Sequence, residues 1–136
     1  MKDNFETRIY LMFIHFSIIL IVFKKKKEKF NQKEYDQFFN YIENDLRELS
    51  YGDMTVNKKM KDLNKILYDI LLKLDLNSKN NQFKICHKLV SKYFPNLKDS
   101  KSLNYMEFYK YFSNFYDFCF EFTCKNMLKN LNKFKY

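Results

Sequence analysis

Apolar residues fall along this chain in blocks with helical spacing. Ile9 to Phe23 is an uncharged run closed by Lys24-Lys25-Lys26-Lys27, and it predicts a first helix over about residues 5–26. From residue 32 the pattern turns amphipathic. Tyr35, Phe38, Phe39, Ile42, Leu46 and Leu49 recur every three or four residues and give a second helix over about 32–49, with Asn31 as its N-cap. Val56, Met60, Leu63, Leu67, Ile70 and Leu74 make a cleaner stripe, with Lys58, Lys59, Lys61 and Lys65 lying largely off it. A third helix therefore starts near Thr55, a suitable N-cap. The short connection predicts an antiparallel hairpin. Gly52, the chain's single glycine, reads as a helix-terminating residue with positive φ.

Asn77-Ser78-Lys79-Asn80-Asn81 reads as a linker. A fourth helix is expected over about 82–94, presenting Cys86, Leu89, Val90 and Tyr93, with Pro95 just beyond its end. A fifth runs from about 102 into the 130s. Its positions 105, 108, 109, 112, 115, 116 and 119 form one face, and Tyr111, Phe118, Phe120 and Phe122 spill beyond it. A helix apolar almost all round is either buried on several sides or meets a partner. The expected fold class is all-α, a single bundle-like domain of about five helices over residues 1–136, with no internal repeat or heptad series.

Composition supports that reading. One glycine and one proline in 136 residues leave little turn chemistry for an all-β fold, and 46% hydrophobic content argues against disorder. The alphabet is skewed, with no alanine or tryptophan and an abundance of Lys, Asn, Ile, Phe and Tyr. Those residues use AT-rich codons, so lysine or aromatic richness alone signals little. Arg8, Arg47 and Gly52 run against the skew and are therefore the positions where a physical requirement is expected.

The net charge of +9 is uneven: residues 76–136 carry 11 basic and 4 acidic residues. A basic half suits an anionic surface, lipid headgroups or ribosomal RNA, or simply a solvated face. Residues 9–23 would span about 22 Å as a helix, short of the roughly 30 Å hydrocarbon core. A buried core helix is the favoured expectation. A single-pass anchor over 9–23, carrying a basic helical domain on the cytoplasmic side, and a basic nucleic-acid-binding module are the competing architectures.

Catalytic patterns are missing. A lone glycine excludes glycine-rich phosphate loops, and there is no HExxH and no CxxC. Cys86, Cys119 and Cys124 are an odd set without a secretory cleavage pattern and read as reduced, mostly buried thiols. Glu43, Asp45 and Glu48 spread around one helix with no forced convergence. The sequence therefore predicts a non-enzyme with no cofactor and no metal, and no DNA partner.

One segment carries a specific signal. Asp45-Leu46-Arg47-Glu48-Leu49, then Gly52-Asp53-Met54, Val56 and Lys58-Lys59-Met60-Lys61 resembles the signature region of the ubiquinol–cytochrome c chaperone family. Arg8, followed by apolar residues to His15, resembles that family's Arg–His helix, with Ile9 where an aromatic is usual. The likeness covers roughly residues 3–75. It implies structural roles for Arg8, His15, Asp45, Leu46, Glu48, Leu49 and Gly52. It also implies an assembly factor that binds newly made cytochrome b for insertion into the ubiquinol–cytochrome c reductase complex. Such proteins work beside a small co-chaperone and near the ribosome, peripheral to the inner membrane on its cytoplasmic or matrix side. Arg47, Asp53, Lys58, Lys59 and Lys61 are the candidate partner-binding residues. The competing role is structural: Arg47 pairs with Glu43, and Asp53 fixes the turn.

Overall fold

The computed structural model describes residues 5–49, 52–77, 84–85, 87–97 and 102–121. Among them are five α-helices and no strand: α1 Phe5–Lys25, α2 Gln32–Glu48, α3 Asp53–Asn77, α4 His87–Tyr93 and α5 Leu103–Glu121, with a 3-10 turn at Pro95–Leu97 before α5. The expected all-α class is the one observed.

Helix α1 is the axis of the core. It packs most extensively against α3 and then α5. Ile9, Phe13, Ile14, Ile18, Ile21 and Val22 are each no more than 2% exposed. Burying each such side chain contributes about 1.5–3 kcal/mol, so α1 supplies a large share of the driving force. By length and composition it would pass as a membrane span, but here the other helices cover it. Ile42 and Leu46 of α2, and Val56, Leu67, Ile70 and Leu74 of α3, are buried as their spacing requires. Phe16 stacks on Phe38 with ring centroids 4.1 Å apart.

Asn31 caps α2, its side chain accepting from the Lys33 N–H at 2.8 Å. The end of α1 is a Schellman turn: the Glu28 N–H donates to the Phe23 carbonyl at 2.9 Å and the Lys27 N–H to that of Lys24 at 3.0 Å. Lys27 takes the left-handed position with φ 57°. Asp69 of α3 ties down α4 by accepting from the Tyr93 hydroxyl and, at 3.0 Å, from Lys92. Burial raises the Asp69 carboxyl, but Tyr93, Lys92 and Lys73 outweigh it and hold the group down at about 2.

Several expected boundaries move. Helix α3 begins at Asp53, not Thr55, and the Gly52 carbonyl accepts from the Val56 N–H at 2.9 Å. Gly52 thus sits at the N-cap of α3. Among the described residues no glycine has positive φ, which corrects the helix-terminating role expected of it. Glycine suits an N-cap because it leaves the orphan N–H groups open to water. Lys84 and Ile85 precede α4 outside any helix. Leu49, expected on the apolar face, is 50% exposed because it follows the last turn of α2. Asn77, expected to open the linker, is the last residue of α3; the rest of the linker at 78–81, Cys86, Cys124 and the expected continuation of helix five past Glu121 lie outside the described residues.

Candidate functional site

The α2–α3 junction gathers most of the residues singled out in the sequence. Arg47 lies in the last turn of α2, where a cation complements the negative end of the helix dipole, and Asp53 opens α3, where an anion complements the positive end. The two helices meet antiparallel, so these side chains converge. The Arg47 Nη1 donates to Asp53 Oδ1 and its Nη2 donates to Glu43 Oε1 at 3.3 Å. The hydrogen bonds it donates to Asp53 and then to Glu43 raise the Arg47 pKa. Arg47 is therefore a clasp between the end of one helix and the start of the next.

Around that clasp the surface is mixed. Lys58 and Lys61 are exposed and Lys59 half-exposed along the adjoining turns of α3. A shallow depression of about 460 Å³ is lined by Met54, Thr55, Lys58, Lys59 and Asp62. Met54 is 87% exposed and Leu49 is 50% exposed. Of the signature positions, Leu46 is buried, Asp45 is half-buried, and Glu48 and Gly52 are exposed. Neither exposed apolar side chain is expected as a contact from the sequence: Leu49 has a structural role on the apolar face of α2, and Met54 only a place in the signature string. A signal existed for Met54, which lies off the Val56–Met60–Leu63 stripe.

The other motif, on α1, is apart from this turn. Arg8 is exposed near the start of the helix. His15, two turns on, reaches α5. Its Nδ1 lies 2.7 Å from the Leu11 carbonyl and its Nε2 2.8 Å from the Tyr111 hydroxyl. A carbonyl only accepts, so Nδ1 carries the proton and Nε2 accepts from Tyr111. The rings of Phe112 and Phe115 pack edge-on at 4.9 and 4.8 Å. Burial lowers the His15 pKa, against the hydrogen bond to Leu11. With both nitrogens engaged, the imidazole is a neutral structural bridge. Beside it a cleft of about 400 Å³ opens between Leu11, Leu97, Phe108 and Tyr111.

Among the described residues, no group of His, Cys, Asp and Glu is placed to hold a metal ion. Cys119 is fully buried on α5, and burial pushes its thiol up to about 12, against the opposing pull of Lys26. A thiol so held is a packing group rather than a nucleophile.

The described residues thus form an all-helical bundle with an amphipathic, basic turn between α2 and α3. The ubiquinol–cytochrome c chaperone family model matches residues 1–109, and the chain belongs to that family. Its class is thus that of an assembly chaperone of the ubiquinol–cytochrome c reductase complex, and that membership implies a client protein. No curated protein and no solved structure gives a significant match.

Proposed function

We propose that this protein binds newly synthesised cytochrome b and holds it for insertion into the ubiquinol–cytochrome c reductase complex, with the α2–α3 turn as a contact surface. The observation that carries the reading is the turn itself. Inside the family-matched region, Leu49 and Met54 are exposed, and Met54 lines one depression with Lys58 and Lys59. Exposed apolar side chains ringed by polar groups are the pattern of a protein-binding patch. Arg47 and Asp53 support that patch from within by clasping the helices that present it. In this reading the protein works at the cytoplasmic or matrix side of the inner membrane, with a small co-chaperone and the ribosome as assistants and anionic lipid as a peripheral contact.

A crosslinked pull-down from cells building the respiratory chain tests the client, and recovery of cytochrome b is the expected result. Its absence, with the chaperone expressed and folded, overturns the reading. The surface is tested by reversing charge at Lys58, Lys59 and Lys61 together. Capture falls while helicity by circular dichroism stays. Unchanged capture removes the contact role from this turn.

A further inference from the structure

We infer that the opposite pole of the bundle, built around Lys24–Lys29, is a docking surface for anionic lipid headgroups. This inference deepens the reading of a chaperone working at the membrane and rests on it. Three helices bring their C-terminal ends together at this pole. Lys24 of α1 pairs with Asp75 of α3 at 2.6 Å. Just past α1, the Lys26 ammonium lies 5.2 Å from the Phe120 ring near the end of α5, and Lys25 lies 5.5 Å from the Tyr116 ring. The Schellman turn then folds the chain back, so five lysines in six residues crowd one corner with Glu28 as the acid among them. Lys24, Lys27 and Lys29 are exposed. Helix α5 closes at this pole with Glu121.

Lys27 forms the turn itself, in the left-handed conformation ordinarily filled by glycine or asparagine.

Lipid fits this surface better than RNA. Single-stranded RNA is held by aromatic rings that stack on its bases. Here Lys25 and Lys26 lie over the rings of Tyr116 and Phe120, which occupies those faces. There is no arginine between residues 9 and 46 to fork onto a phosphate. Point charges on flexible stems above a rim of apolar rings match a diffuse plane of headgroups. Helix α2, about 25 Å long, separates this pole from the α2–α3 turn. Docking here would leave the turn facing away from the bilayer.

The test is co-sedimentation of the full chain with vesicles. Binding is expected to phosphatidylcholine vesicles containing about 30% phosphatidylglycerol, to fall with salt, and to be absent with phosphatidylcholine alone. Lys27→Gln with Lys29→Gln is expected to weaken it about 25-fold, at a factor of about five per lysine. Lys58→Gln with Lys61→Gln at the far pole leaves it within about twofold. Equal binding to neutral vesicles, or equal loss from both poles, overturns the inference. So does a Lys27/Lys29 variant that loses affinity for single-stranded RNA but not for vesicles. Cytochrome b capture is a separate readout. Failed capture with intact vesicle binding refutes the client alone, and the reverse outcome refutes the lipid surface alone.

Discussion

The imidazole of His15 and the hydroxyl of Tyr111, 96 positions apart in sequence, are joined by a 2.8 Å hydrogen bond across the α1–α5 interface. The bond is made to the neutral ring, and burial lowers the pKa below its ordinary value. In the unfolded chain His15 takes up a proton near pH 6.5, whereas in the fold it does so only at lower pH. The stabilising contribution is complete above about pH 6.5 and is lost as pH falls below it. Urea midpoints measured at pH 7.5 and 5.5 are expected to drop on acidification. Tyr111→Phe should cost about 1–3 kcal/mol, because the ring nitrogen is left without its donor. A flat pH response between these values would refute the bridge as described.

Ser17 makes an opposite-signed case. It is fully buried in the middle of α1, and among the described residues its hydroxyl meets no hydrogen-bond partner. An unsatisfied buried hydroxyl costs about 1–3 kcal/mol. Ser17→Ala is therefore expected to raise the melting temperature by several degrees. A lowered one would show that the hydroxyl has a partner.

At the α2–α3 clasp, Arg47 and Asp53 are both exposed. Exposed ion pairs add little stability and are screened by salt. Asp53→Asn should leave the thermal midpoint nearly unchanged at high salt, while lowering cytochrome b capture by loosening the turn that presents Leu49 and Met54. Capture equal to the parent protein would reduce the clasp to a local detail of the surface.

The Cys119 thiol should be silent in the native protein. With Cys86 and Cys124 replaced by serine, Ellman's reagent is expected to show no reaction until urea unfolds the chain. A raised pKa of about 12 leaves almost no thiolate at pH 8. Rapid labelling in native buffer would contradict the packing of α5.

Helix α1 offers the clearest test of core against anchor. Phe13 is 0% exposed, and Phe13→Ala should cost about 3–5 kcal/mol, a large part of the 5–15 kcal/mol that holds a domain of this size together. Alkaline carbonate is expected to release the native protein from membranes. Retention in the pellet would instead make α1 a span.

Local pattern was enough for the elements. The stripes of α2 and α3 placed Ile42, Leu46, Leu67, Ile70 and Leu74 inward because 3.6-residue periodicity leaves one face for burial. The signature from Asp45 to Lys61 was equally legible, since it is a contiguous string that needs no tertiary contact to point to the family. Only the tertiary structure decided that Gly52 caps α3 rather than ending α2, because a short turn can supply either role until the second helix is placed. The fold likewise chose Tyr111 as the partner of His15. Nothing in the order of residues couples positions 15 and 111. The exposure of Leu49 and Met54, and the gathering of Lys24–Lys29 with Tyr116 and Phe120 at one pole, are of the same kind. Periodicity fixes which face of a helix is apolar, but only the packing of one helix on another determines which apolar and charged residues remain outside.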